Sequence, residues 1–595
     1  MNNIVLEIKN LSISFFEHNI ENIVINNFSY SFKKNITTAI VGPSGSGKSL
    51  ISLACLNLLP ESSKIKVSGN IFLENKNCIL QFNSKDNYLY RGVYSSIIFQ
   101  NPFTSLNPVY TCGYQLSECL KKSKENFDKK YIYNECLKFL KQVELDDVEK
   151  IYNSYPHELS GGQLQRVLIS FALALKTKVI FADEITTALD PYTKNKILNL
   201  LKNICDFNNI TLIIISHDIN IVKNYSDEIL ILNKGKIIER GNTKNLLKKP
   251  KKNFTKSLIL CKPKIINNPF FLPFLKNNKI IYDGKILKKE AFSNSIIELK
   301  NLSLFYNNFK ALKNINLKLK ENDIIGIIGR SGSGKSSLSN IISLVNKNYQ
   351  GSFFYKGKNI RNLNKKNINK KIQLVFQNPE SSLNPKQKIN ACLREVLYCN
   401  NIINNKDSKI LFYLNQLELN KNILNKYPHE LSGGQKQRVC IVRILLTDPE
   451  IIIFDESVSS LDVSVKADIL NLLTRLKNEH NLTFVFISHD LSVIRFISDR
   501  IMVIKDGKII EIGISEEIFN DPKDKYSKWF RGSYGAKLRP RRRLRLRCWS
   551  QRRCSPRAWN LAARGHGQVI YCFVSGCGLF KRNCIQLIQP VVNVQ

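Results

Sequence analysis

Two lysines each close a glycine-rich octapeptide, Gly42-Pro43-Ser44-Gly45-Ser46-Gly47-Lys48-Ser49 and Gly329-Arg330-Ser331-Gly332-Ser333-Gly334-Lys335-Ser336. Glycines at this spacing let backbone N–H groups close around an anion at a helix N-terminus, and the lysine adds a formal charge for a phosphate chain. Downstream, Val179-Ile180-Phe181-Ala182-Asp183-Glu184 and Ile451-Ile452-Ile453-Phe454-Asp455-Glu456 each end four apolar residues in two carboxylates. A buried strand of that pattern delivers both acids to one end of a sheet. Asp183 or Asp455 can then share a Mg²⁺ with the hydroxyl of Ser49 or Ser336, while Glu184 or Glu456 orients and polarises a water. The chemistry that such groups would support is hydrolysis of a phosphoanhydride.

The elements that must position these groups are legible twice. Thr38 to Val41 and Ile324 to Ile328 read as buried strands entering the loops; Leu50 to Leu59, stopped by Pro60, and Ser337 to Val345 read as the helices leaving them. Strand, glycine loop and helix is the context that makes such a loop a phosphate site. The blocks Tyr155 to Asp190 and Tyr427 to Asp462 share YPHELSGGQ, a helix-like run and the two acids. Ser160 to Ser432, Glu184 to Glu456 and His217 to His489 are all offset by 272 residues, whereas Lys48 to Lys335 is offset by 287. Two copies of one domain follow, differing in length between the phosphate loop and LSGGQ. Short β-like runs (Ile4 to Ile8, Ser12 to Phe15), helical periodicity around 116–145 and 392–419, and hairpins at 229–239 and 501–511 complete each copy. Ile296 to Lys300 restarts the pattern of Ile4 to Lys9.

The order of these blocks resembles the ATP-binding cassette (ABC) ATPases. The resemblance implies an α/β fold of two tandem P-loop domains, each with a RecA-like mixed-sheet core and a helical subdomain that carries LSGGQ. ATP and Mg²⁺ are the implied cofactors. Gly42, Gly45, Gly47 and Lys48, with Gly329, Gly332, Gly334 and Lys335, would cradle the phosphates. Gln100 and Gln377, each in an FQNPxxSLNP segment, would reach the Mg²⁺ and begin the surface that meets a membrane partner. His217 and His489 would be the switch residues at the γ-phosphate, although a histidine past an apolar strand can also be purely structural. Phe15 and Tyr306 would stack on adenine, with an ordinary half-buried strand aromatic as the alternative. Ser160, Gly161, Gly162 and Gln163, with Ser432, Gly433, Gly434 and Gln435, would meet the γ-phosphate bound by the opposite domain. The cassettes would then close head-to-tail over two ATPs, with Asp190 and Asp462 at the interface. Ile185 and Ser457 replace the proline often found after the glutamate.

Within that family, NPxxSLNP, YPHELSGGQ and two cassettes in one chain look like the fused ATP-binding component of peptide importers, whose relatives take nickel or glutathione. Two permease subunits and a solute-binding protein are implied as separate chains, with this chain peripheral on the cytoplasmic face of a bacterial inner membrane. The rival reading is a soluble tandem ATPase acting on ribosomes or nucleic acid.

Charge keeps that rival in view. The chain of 595 residues carries a net charge of +41, but residues 531–595 hold 12 Arg and 2 Lys with no acid, leaving +27 for the body. The body is Lys-, Asn- and Ile-rich, which favours a solvated lysine surface over a nucleic-acid face; attraction to an anionic membrane is the alternative. No apolar run reaches membrane-spanning length, the N-terminus lacks a secretory pattern, and the 15 cysteines form no CxxC pair. The expected organisation is a first ATPase domain over 1–250, a connection over 251–295, a second ATPase domain over 296–530 and an atypical tail over 531–595. The tail, with five cysteines and Trp549 and Trp559 among arginines, is read as a frame-shifted, read-through or fused appendage. A basic RNA-binding tail is its alternative.

Overall fold

The computed structural model describes residues 3–533, except 18–19, 60–63, 75–76, 82–86, 88–89, 93, 124–127, 186–190, 262–271, 277–278, 282–293, 308, 377, 401–405 and 460. Gln377, Asp190 and nearly all of the Arg-rich tail therefore lie outside the described residues.

Residues 1–515 form one contact unit that holds the sheets of both cassettes. In the first, β3 (Thr38–Val41), β6 (Ser95–Ile98), β7 (Val179–Asp183), β8 (Thr211–Ser216), β9 (Glu228–Asn233) and β10 (Lys236–Asn242) build a six-stranded sheet in the order β10-β9-β3-β8-β7-β6. All neighbours are parallel except the β9/β10 hairpin at the edge. β3, β7 and β8 are buried along their whole length, which is why they read as unbroken apolar runs. The second cassette repeats this with β15 (Ile324–Ile328), β18 (Ile372–Val375), β19 (Ile451–Asp455), β20 (Thr483–Ile487), β21 (Arg500–Lys505) and β22 (Lys508–Ile514).

A four-stranded antiparallel sheet, β2-β1-β4-β5, accompanies the first core, from β1 (Ile4–Glu17), β2 (Ile20–Lys33), β4 (Ile65–Leu73) and β5 (Asn77–Cys78). The two short β-like runs of the sequence are one strand. Its register slips on both sides near Asn10, whose φ of 52° marks a bulge, and Asn301 does the same in β13 (Ser295–Tyr306), at φ 48°. The helices after the phosphate loops are shorter than the sequence suggested: Lys48–Cys55 and Lys335–Ile342. The first ends because Asn57 turns left-handed at φ 52° before Pro60 is reached, and Leu344 does so in the second at φ 64°.

The helical subdomain of the first cassette contains Cys112–Ser123, Lys129–Gln142 and the signature helix Gly161–Ala174, around a core that includes Leu116, Cys136, Leu140, Leu164 and Val167. Ile389–Cys399, Lys406–Gln416 and Gly433–Leu445 are its counterparts. Past β10, helices Thr243–Lys248 and Asn253–Leu260 lead into a small hairpin, β11 (Phe274–Lys276) and β12 (Lys279–Ile281). Just before that hairpin, Asn471 of the second cassette brackets the backbone of Leu272: its Oδ1 accepts from the Leu272 N–H at 3.0 Å and its Nδ2 donates to the Leu272 carbonyl at 2.7 Å. The ten described cysteines are all free thiols, and most are buried. The described residues from 516 onward belong to a second unit that includes the helix Lys525–Ser533; Arg531 donates to the carbonyls of Phe519 and Asn520 there. Among the described residues no helix is long and apolar enough to cross a membrane.

Candidate functional site

Each phosphate loop is shaped by two glycines. A Cβ on Gly42 would stand 2.3 Å from the carbonyl oxygen of Leu232, and one on Gly329 would stand 2.3 Å from that of Ile504. The loop thus lies directly on the neighbouring strand, where no side chain fits. Gly47 and Gly334, at φ 93° and 101°, cap the following helices in a left-handed conformation that favours glycine. The lysine then folds back into its loop. Lys48 Nζ donates to the carbonyls of Gly42 (3.0 Å) and Pro43 (2.8 Å), and Lys335 Nζ to those of Gly329 (2.9 Å) and Arg330 (2.7 Å). Burial pulls the Lys48 ammonium below its ordinary pKa, against the opposing pull of Glu184, Asp462 and Asp183.

Asp183 ends β7 within reach of the Lys48 loop. Burial raises its carboxyl pKa, a hydrogen bond with Ser49 opposes this, and its Oδ1 is buried without a hydrogen-bond partner among the described residues. Asp455 is raised by burial in the same way, and accepts from Ser339 Oγ at 3.0 Å, with Ser336 also bonded to it. A buried carboxylate facing a loop hydroxyl, with an oxygen left over, is the donor set of a hard cation such as Mg²⁺.

Glu184 and Glu456 follow at φ 47° and 50°, a backbone region a glutamate rarely enters. Their N–H groups donate to Ile215 and Ile487 at the ends of the adjacent strands, both at 3.0 Å, which holds the turn. The histidines meet them: His217 Nδ1 lies 3.1 Å from Glu184 Oε1, and His489 Nε2 lies 2.5 Å from Glu456 Oε1. Gln100 Nε2 donates to Glu184 Oε2 at 3.3 Å. Glutamine, glutamate and histidine from three strand ends therefore converge in the first cassette.

The signature residues are occupied locally. Ser160 and Gln163 form a capping box at the start of Gly161–Ala174, and Ser432 and Gln435 do so for Gly433–Leu445. Phe15 packs against the core of its antiparallel sheet, whereas Tyr306 is 47% exposed and its hydroxyl accepts from Asn346 Nδ2 at 3.3 Å.

The cassettes touch at these sites. Asp462 Oδ1 accepts from the N–H of Ser44 at 2.8 Å and from its hydroxyl at 3.2 Å, so a carboxylate of the second cassette rests on the phosphate loop of the first. Reciprocally, Arg330 in the second loop lies over the ring of Tyr192, two residues past Asp190. The contacts run head-to-tail. Ser44 and Arg330 were read from sequence only as members of their loops, and Ser339 and Tyr192 were not singled out. Ser339 could have been, since it stands one turn past Ser336 on the same helix face.

The ABC transporter family model matches residues 25–187 and 312–459, together just over half of the chain. Among curated proteins, the glutathione import ATP-binding protein GsiA of Escherichia coli K12 is 31% identical over 551 residues, covering 88% of each chain, and that of Pectobacterium atrosepticum is 30% identical over the same length. A solved structure of cbiO1 from Clostridium perfringens, part of an ABC transporter complex, is 26% identical with a TM-score of 0.36, covering 38% of this chain and 92% of that one. With two cassettes that each assemble phosphate loop, paired acids and histidine, and with this relatedness along most of its length, the chain belongs to the ABC transporter family and is an ATP-binding, ATP-hydrolysing member of it.

Proposed function

We propose that this chain drives the uptake of peptides or related small solutes through a separate membrane permease of two subunits, fed by a solute-binding protein. It would work from the cytoplasmic face of a bacterial inner membrane. The carrying observation is the surface after Gln100. Over residues 99–114, Phe99, Phe103, Val109, Tyr110 and Tyr114 are each exposed, Phe103 at 51% and Val109 at 69%, with Tyr110 and Tyr114 stacked at 4.8 Å. Exposed aromatics in a segment that begins beside the hydrolytic glutamate suit a partner that must feel hydrolysis. The GsiA relatives, named for glutathione import, support import over the ribosome or nucleic-acid alternative.

In this reading the N–H groups of each loop and Lys48 or Lys335 bind the phosphates, and Phe15 or Tyr306 faces adenine. Ser49 with Asp183, and Ser336 with Asp455, would hold Mg²⁺, with Gln100 and Gln377 as further candidate contacts. The ion supplies charge neutralisation for the leaving phosphate when bound. Glu184 and Glu456 orient the attacking water, and His217 and His489 hold those carboxylates while sensing the terminal phosphate. Ser160 to Gln163 and Ser432 to Gln435 close each site from the opposite cassette, releasing their capping partners to do so. Residues 1–250 and 296–530 are the two working domains.

The test is affinity purification of the chain carrying Glu184→Gln and Glu456→Gln, held in ATP, from native membranes. Two different multi-spanning proteins are expected, and Phe103→Asp with Tyr110→Asp should release at least one of them. Recovery of ribosomal proteins in their place would overturn the transport reading while leaving the ATPase intact.

A further inference from the structure

The two composite sites differ where their cassettes touch. Arg330 stands where the first phosphate loop has Pro43, and Tyr192 stands where the second cassette has Ser464. The Arg330 guanidinium lies 5.4 Å from the centre of the Tyr192 ring, and Lys196 Nζ, one helical turn on, lies 4.8 Å from it. The residue next to Tyr192 lies close to the first signature: a Cβ added at Gly162 would stand 3.0 Å from Thr193 Cγ2. Thr193 thus faces the first signature while its neighbour Tyr192 meets Arg330 in the loop that holds Lys335. Proline has no charge and serine no ring, so the Lys48 site cannot form the same link.

We propose that Arg330 and Tyr192 form a cation–π clasp that belongs to the Lys335 site alone and slows nucleotide release there, so that the two ATP sites are kinetically unequal. The clasp spans the cassette boundary and must break before the loop and the opposite signature separate. It is a positioning device: neither side chain performs the hydrolysis. An exposed cation–π pair slows release by about two- to fivefold. The proposal rests on the reading of both loops as ATP sites.

The experiment follows the release of a fluorescent ATP analogue from the full-length chain carrying Glu184→Gln and Glu456→Gln, which retains ATP at both sites. Two phases are expected, and Lys335→Ala should remove the slower one. Tyr192→Ser and Arg330→Ala should each speed that phase alone, by about two- to fivefold. Tyr192→Phe, which keeps the ring, should leave it unchanged, and Tyr192→Ser with Arg330→Ala together should act no more strongly than either one. A single phase, an effect on the Lys48 phase, or additive effects would overturn the clasp. Failure of Lys335→Ala to remove any phase would instead overturn the assignment of the loops as ATP sites.

Discussion

At Glu184 and Glu456 a glutamate holds left-handed dihedrals, a conformation that costs about 1–3 kcal/mol and persists only where surrounding bonds enforce it. The enforcing bonds are those to Ile215 and Ile487, and their effect is to aim each carboxylate at its histidine. Replacing both glutamates by glutamine keeps the geometry and removes the carboxylates proposed as the bases. Steady-state hydrolysis should fall at least ~10²-fold while ATP is still bound, as read by phosphate release beside equilibrium nucleotide binding. Asp183 and Asp455 carry a different signature. Burial raises their folded pKa above the unfolded value, so the nucleotide-free protein binds these protons more readily than the unfolded chain. Their contribution is most favourable below the unfolded pKa and is lost as pH rises through the folded one. Asp183→Asn with Asp455→Asn should therefore raise the nucleotide-free Tm at neutral pH, by about 2–4 °C per kcal/mol gained, and the gain should vanish as pH falls into the carboxylate range. Mg-ATP should stabilise the parent chain and not this variant. A lower neutral-pH Tm for the variant would contradict the sign.

At the scale of elements, Gly42→Ala and Gly329→Ala push a methyl into a strand carbonyl at 2.3 Å, so each should abolish nucleotide binding at its own site. A titration of fluorescent ATP that still gave two sites per chain would show the loop to be softer than its packing implies. Such loops were legible because their spacing follows from the geometry of an anion against a helix start, and β3, β7 and β8 because burial on both faces leaves an apolar run. Lengths were less legible. The helix after Lys48 stops at Cys55 because Asn57 turns left-handed, a weaker stop signal than the Pro60 on which the sequence reading relied. The bulge at Asn10 split one strand into two readings for the same reason. The Leu272–Asn471 pair lay beyond sequence altogether, since it joins residues 199 apart. Asn471→Leu would strand a buried N–H and a buried carbonyl, and should cost about 1–3 kcal/mol, visible as a lower urea midpoint with unchanged slope.

Across the whole molecule, the proposed function depends on each cassette completing the other. Asp462 on the Ser44 N–H is the described instance, a charged hydrogen bond across the domain boundary. Asp462→Ala should weaken closure about tenfold or more, lowering ATPase activity and its cooperativity in ATP with little change in the affinity of the first ATP bound. An unaltered rate would mean that the contact is incidental to turnover. The head-to-tail relation could be anticipated only through family resemblance, because neither Asp462 nor Tyr192 carries a local pattern that names its partner.

The connection between the cassettes, which runs through the Leu272 that Asn471 fastens, also decides who meets whom. Freely diffusing halves choose mates by affinity, and a cell running several related machines must guard against hybrids. Here the choice is made at translation: one covalent connection holds the halves at an effective concentration on the order of millimolar, whatever the abundance of competitors. The unlike pair is delivered as a single inherited unit, its ratio fixed at one to one, and the two halves can drift apart in sequence without losing each other.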